Sequence, residues 1–490
     1  MAKISKFQAV LVTGLAIRLA MAPFFAHPSD VYSWYYNGEN LLNGTQSIWY
    51  FLQPYNYSFF LFVFPATIAF RVISSMTGTY SIPMTSLDPR LNPGAPWNIP
   101  IVPGLLFDLL VKLPLIASDL IIGVLLYKVV KKHFGDANAA TSISMLWVLN
   151  PLTIWVSSGW GMFDTLPVLF TVLAFYFVLE ERFGVAGISL SVAMMLKYYG
   201  VVLVFPLVFI VWRFYGKKAA IRGIFWMCLS SFGFLVPLIA GAAKGGISPL
   251  STSMNGLRYS GLSFWSSITL FWPTTDQLLI SGVLIVFSLL GVYTWIAVKS
   301  PNGKFHASSI AFALPITALL SVYWFVGENF IIWILPFAAI LTLRGKIAKA
   351  GYWLISLLAL LTSVTNSLVP YYLLPVAPWI GSFLVSIIVA ISPYKVAPQG
   401  TVSTGVGLGK VFLSAGGILS TLILILLAIS WVRGQHRSSD ELHQDLSVGG
   451  GRPMGRSAPV AQVKTVTDAH SLPVQSGLFS LVESRLRREF

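Results

Sequence analysis

Cysteine is nearly absent from this chain, and charge of either sign is thin. A single Cys228 excludes an intrachain disulfide and any cysteine-based metal cluster. Charged residues make up 10% of 490 positions, and the 17 acids are outnumbered by 32 lysines and arginines, so the few acids are a short list of candidates for chemistry. The surplus of cations could suggest nucleic acid. Most of them lie in short stretches between apolar segments, however, and no basic patch interleaved with stacking aromatics lies outside those segments, which argues against a nucleic-acid partner.

What the chain has in abundance is apolar surface. It is 56% hydrophobic with 16 Trp and 34 Phe, more than a soluble core needs, and reads as an all-α polytopic membrane protein. Apolar length and loop charge predict about thirteen spans, from Phe7–Phe25 and Leu105–Leu126 to Trp379–Ile391 and Val411–Trp431. Lys128, Lys131, Lys132 and His133 place the end of the second span in the cytoplasm, so residues 26–104 form a long first extracytoplasmic loop. Its apolar run Tyr57–Ile73 would put that basic cluster outside if it crossed, and is expected to lie at the interface. Gly184–Leu196, Val201–Trp212 and Phe330–Leu343 are short for a crossing at about 1.5 Å per residue, which suggests a cavity where they meet polar turns. Residues 1–432 therefore read as the membrane domain, and 433–490 as a polar, disordered tail.

Four constellations stand out. Asp30, at the head of the first loop, is the first acid after a long apolar span, and Glu39 follows as a weaker second candidate. Asp108, Lys112 and Asp119, spaced four and seven apart, share one helical face; they are either an ion pair with a packing Asp or the wall of a cavity. Asp164, in Trp160-Gly-Met-Phe-Asp164, either caps the next helix or faces a site. Lys197, in Lys197-Tyr-Tyr-Gly, falls on the outer side against the charge rule, where it either snorkels to headgroups or holds a phosphate. Glu328 opens a further polar-to-apolar segment, Glu328-Asn-Phe-Ile-Ile-Trp-Ile-Leu-Pro336. Asn43-Gly-Thr and Asn56-Tyr-Ser match glycosylation acceptors.

The order of these features resembles the GT-C superfamily of membrane glycosyltransferases that use lipid-phosphate sugars, and most closely the branch that adds the first mannose in GPI-anchor assembly. Arg18-Leu19 followed by Ser29-Asp30 and Gly44, the Lys112-to-Leu120 stretch, the Lys197-Tyr-Tyr-Gly turn and the Glu328 segment carry the likeness, and Trp160-Gly-Met-Phe-Asp164 is similar to an element of prokaryotic relatives. The likeness extends to about Phe337. It implies a GT-C-like bundle of about 11–13 helices and inverting transfer of a hexose, mannose or glucose, from a polyprenyl-phosphate donor to a glycan or lipid-linked acceptor on the extracytoplasmic face of a cell or ER membrane. It also implies Asp30 as general base, with Lys197, Lys112, Asp119, Asp164, Glu328, Arg18 and Glu39 around the substrates. That branch carries Asp-x-Asp in the first loop, whereas here Pro28 stands two before Asp30, which counts against a bound divalent cation and leaves no metal ligand or cofactor assigned. Two other classes stay open: a transporter or lipid-oligosaccharide flippase, which would show paired broken helices in a repeat, and a non-catalytic scaffold subunit.

Overall fold

The computed structural model describes residues 4–26, 28–45, 58–78, 82–83, 101–102, 104–243, 277–299, 303–323, 326–367 and 408–433. The expected span Trp379–Ile391 and the tail from 434 lie outside the described residues. All described residues belong to one unit, Met1–His436. Apart from a two-residue antiparallel pairing of Ile82–Pro83 with Ile101–Val102, the secondary structure among the described residues is helical.

Helix α1 (Lys6–Met21) starts from a reciprocal cap, in which Ser5 Oγ accepts from the Gln8 amide and Gln8 Oε1 accepts from the Ser5 amide. After it come α2 (Pro28–Leu42), α3 (Ser58–Leu61), α4 (Val63–Thr77) and the long α5 (Leu105–Phe134), which ends on a left-handed Gly135. Asp136 caps α6 (Ala137–Val148), and Asn150 with Pro151 starts α7 (Pro151–Ile154), which continues as a π-helical turn over Trp155–Trp160. Beyond it lie α8 (Thr165–Leu179), α9 (Phe183–Leu196), α10 (Val204–Tyr215), α11 (Lys217–Ala243), α12 (Gln277–Lys299), α13 (Lys304–Val322), α14 (Leu335–Leu341), α15 (Lys346–Ser367) and α16 (Leu408–Arg433).

Among the described residues, five helical stretches are long and apolar enough to cross a membrane: Leu105–Phe134, Tyr198–Tyr215, Ile280–Lys299, Lys304–Val322 and Ala415–Arg433. A sixth is the pair Ala137–Val148 and Pro151–Trp160, bent by 47°. The chain is thus a helical membrane protein. Three further apolar segments that the sequence offers as spans are short, as their lengths of apolar sequence imply. Thr165–Leu179 and Phe183–Leu196 are apolar helices of 15 and 14 residues, and the Phe330–Leu343 stretch breaks into a 3-10 turn, a short α-helix and another 3-10 turn. The apolar run around Tyr57–Ile73 forms α3 and α4; α4 packs on α2 and α5, with Phe59, Phe62, Ala66 and Phe70 sharing a core with Phe107, Val111 and Leu115.

Small residues set how closely the first helices approach. A side chain at Gly14 would meet Val148 Cγ1 at 2.3 Å, and one at Gly123 would meet Val148 Cγ2 at 2.3 Å, so Val148 is wedged between two glycines. That junction of α1, α5 and α6 brings the charged groups below into contact. A similar approach occurs where α9 crosses α11, since a Cβ on Gly187 would lie 2.2 Å from the Gly223 carbonyl oxygen.

The two ends of the bundle differ in charge. At one end Lys132 pairs with Glu180 at 2.9 Å, Lys304 lies 3.8 Å from Glu181 and 4.4 Å from the Tyr215 ring centroid, and Arg344 donates to the Trp431 carbonyl. At the other end are Asp30, Asp164 and Lys197. Helix α8 joins the two, from Asp164 to Glu180, over about 24 Å at ~1.5 Å per residue.

Candidate functional site

Three irregular segments build the site: the π-helical turn Trp155–Trp160, the 3-10 turn Tyr198–Leu203 and the 3-10 turn Glu328–Trp333. Such interruptions re-aim side chains that a continuous helix would send elsewhere, and they recur at functional sites. The π turn closes on Gly161 at φ +82°, with the Gly161 and Met162 amides both donating to the Val156 carbonyl at 3.0 and 2.8 Å. A Cβ on Gly161 would lie 2.5 Å from Lys112 Cε, so glycine is needed there for both reasons.

Asp164 is the hub. It sits where a helix cap would, but makes no capping hydrogen bond. Its carboxylate is fully buried, with Oδ1 accepting from Lys197 Nζ at 2.7 Å and from Trp333 Nε1 at 2.7 Å, while Oδ2 accepts from Asn329 Nδ2. The capping alternative is therefore excluded, because the acid holds two distant turns together instead. Lys197 is 5% exposed, and its ammonium lies 4.3 Å from the Phe330 ring centroid, 5.1 Å from Phe163 and 5.4 Å from Trp333. An extended backbone at Lys197 (φ −154°, ψ 137°) ends α9 and turns the side chain inward, so this lysine does not snorkel outward. Tyr199 stacks on Trp333 at 4.3 Å, and its hydroxyl bonds Thr171 at 3.0 Å.

Asp30 lies in the first turn of α2 and is partly buried. Its Oδ2 accepts from Trp160 Nε1 at 2.8 Å, and its charge acts on the Lys197 ammonium. Asp30, Asp164 and Lys197 thus come together from three separate parts of the chain, as expected, with Asn329 and Trp333 supplied by a fourth. Glu328 begins that fourth segment, but its side chain lies outside the described residues.

Other candidates are placed differently. Arg18 is fully buried and spends its guanidinium on Asp119 at 3.1 Å, the Val148 carbonyl at 2.7 Å, the Gly14 carbonyl at 3.2 Å and Thr153 Oγ1 at 3.2 Å. Lys112 is equally buried. It donates to Asp108 Oδ2 and the Ala22 carbonyl, both at 2.9 Å, and to the Phe25 carbonyl, with the Gly159 carbonyl a longer contact at 3.5 Å. Arg18, Lys112 and Asp119, expected to touch substrate, are in this structure committed to protein partners. A phosphate could reach either cation only by breaking these contacts. The paired-ion reading of the α5 stripe is the one the geometry favours. Glu39, the second candidate base, is held by Arg71, whose Nε and Nη2 reach its oxygens at 3.0 and 2.6 Å.

Lys112 nonetheless bears on Asp30. Ala22 and Phe25 lie in the short link between α1 and α2, and Gly159 precedes the Trp160 that donates to Asp30. One ammonium therefore ties down the chain on both sides of the Asp30–Trp160 bond. Trp160, Asn329 and Trp333 were not singled out from sequence, although each lies within a motif that was. The signal was an indole or amide placed beside an acid or in a polar turn of an apolar segment. Among the described residues no three histidines, cysteines or acids are grouped to hold a metal ion.

Two cavities lie away from these residues. One of about 410 Å³ is bounded by Lys6, Asn138 and Ser142, the other of about 380 Å³ by residues of α12, α13 and α16. The short helices are expected to border a cavity where they meet polar turns; among the described residues, the Asp164–Lys197 pair at that place is buried and lies against Phe163, Phe330 and Trp333.

No protein-family model matches the chain, and no curated protein matches it significantly in sequence. Fold and site together define a helical membrane protein with a buried acid–lysine hub beside a partly exposed acid.

Proposed function

We propose that the chain is an integral-membrane hexosyltransferase of the GT-C type. It transfers mannose or glucose from a polyprenyl-phosphate carrier to a hydroxyl of a glycan or lipid-linked acceptor. The observation that carries this reading is the meeting of Asp30, Trp160–Asp164, Lys197 and Asn329–Trp333, four segments far apart in sequence, at the end of the bundle opposite its basic residues. By the charge rule that end is extracytoplasmic, which suits a lipid-linked donor.

In this mechanism the acceptor hydroxyl passes its proton to the Asp30 carboxylate as its oxygen bonds to the anomeric carbon of the sugar. The anomeric carbon–phosphate oxygen bond breaks on the opposite face, so configuration inverts and polyprenyl phosphate leaves as a monoester. Trp160 fixes the orientation of the carboxylate. Lys197, lodged against Asp164 and the rings, supplies a fixed positive charge behind the site rather than a hand that grips the donor, and so offsets the negative charge that develops on the leaving group. Arg18 and Lys112 keep the scaffold in register. Of the two candidate bases, Asp30 is the one whose charge acts on the Lys197 ammonium, which favours it over Glu39.

The test is a cell-free assay of membranes containing the protein, supplied with labelled polyprenyl-phosphate mannose or glucose. Label should move into an acceptor fraction from one donor. Transfer from neither, by folded protein, would refute the assignment.

A further inference from the structure

At the basic end of the bundle, α12 and α16 both pack on α13 and leave a groove between them of about 380 Å³. Leu314 of α13 lines it together with Gly291 and Trp295 of α12 and Ala428, Val432 and Arg433 of α16. Gly291 and Ala428 create the space, since a Cβ added at Gly291 would meet nothing within 4 Å. The walls are apolar and belong to three of the helices that are long enough to cross a membrane. The rim is cationic. Arg433 is exposed and lines the groove, and Lys299 is exposed one turn beyond Trp295 on the same face of α12.

We propose that this groove is a binding site for an anionic glycerophospholipid of the membrane, with one acyl chain in the slot and the headgroup phosphate at Arg433 and Lys299. Volume and charge select this occupant. The space is near the lower limit of small-ligand cavities, about 300–1,000 Å³, and takes a single flexible chain rather than a helix of a second copy. Arg433 in the lining and Lys299 one turn beyond Trp295, with no acid among the described lining residues, favour an anionic over a zwitterionic headgroup. The site lies at the end of the bundle opposite Asp30 and does not depend on the transferase reading.

The experiment is native mass spectrometry of the full-length protein released from nanodiscs of equal phosphatidylglycerol and phosphatidylcholine. Wild type should retain phosphatidylglycerol in preference. Gly291→Leu adds a side chain whose Cβ meets no protein atom within 4 Å and narrows the slot, and it should abolish retention, with Ala428→Leu as a second filling variant. Arg433→Gln should lower the preference about fivefold. Equal retention of both lipids, or retention unchanged in the filled variants, would overturn the proposal. So would a dimer mass or a bound polyprenyl phosphate that disappears with Gly291→Leu, because the groove would then belong to a second copy or to the sugar carrier.

Discussion

Lys112 and Lys197 are both buried lysines paired with one aspartate, yet their surroundings give them different work. Lys112 is ringed by oxygen, with Asp108 and three carbonyls, all from helices or links that must stay in register. Lys197 donates to Asp164 and lies against the faces of Phe163, Phe330 and Trp333, and the charge of Asp30 acts on it. A cation whose donors end on backbone acts as a joint. One paired with a carboxylate and set against ring faces fixes that ion pair in place without tying backbone segments together. Residue type and spacing alone gave the two lysines the same role, whereas their neighbours separate them.

The sharpest way to break this comparison is to delete each ammonium. Lys112→Met leaves Asp108 buried without its partner and releases the Ala22–Phe25 link, and should cost about 3–5 kcal/mol, read as loss of folded protein in a detergent thermal-unfolding assay. Lys112→Met with Asp108→Leu should recover much of that, and failure to recover would mean that the carbonyl contacts dominate. Lys197→Met should cost less, because Asn329 and Trp333 still bond Asp164. Its main effect should be a transfer rate about tenfold or more lower, with folding preserved. Equal losses of folded protein in the two variants would erase the distinction.

Smaller changes sharpen it. Trp160→Phe keeps the ring but removes the bond to Asp30; losing a hydrogen bond to a charged group, about 1.5–3 kcal/mol, should lower turnover roughly 10- to 100-fold with little change in melting temperature. Glu39→Gln weakens a pair that is 22% and 38% exposed on its two sides, so it should change stability by about 1 kcal/mol or less and leave turnover near normal. A large loss of turnover there would return Glu39 to the list of bases.

Much of the site was legible in sequence because charge is so scarce. Asp30, Asp164 and Lys197 stood out as ions at positions that topology does not require, and the structure joins them. What spacing could not show was which cations would be consumed as joints. Arg18 meets the Val148 carbonyl because Gly14 and Gly123 let α1 and α5 close on Val148, and Lys112 meets Gly159 because a π turn ends there. Neither a glycine wedge between helices nor a π turn leaves a periodic trace. The break in the run after Phe330 has a related origin. Apolar length registers the run after Phe330, but the 3-10 turn that breaks it is set by Asn329 and Trp333 reaching across to Asp164.

Asp30 is the proton acceptor of the proposed transfer. The most direct test is the single-turnover rate of sugar transfer by purified Asp30→Asn protein, with its melting temperature and donor affinity measured on the same preparation. The rate should fall by about 10² or more while melting and donor binding stay near wild type, because the amide keeps the volume and can still accept from Trp160 but cannot take the proton. A near-normal rate in folded Asp30→Asn protein would contradict the mechanism.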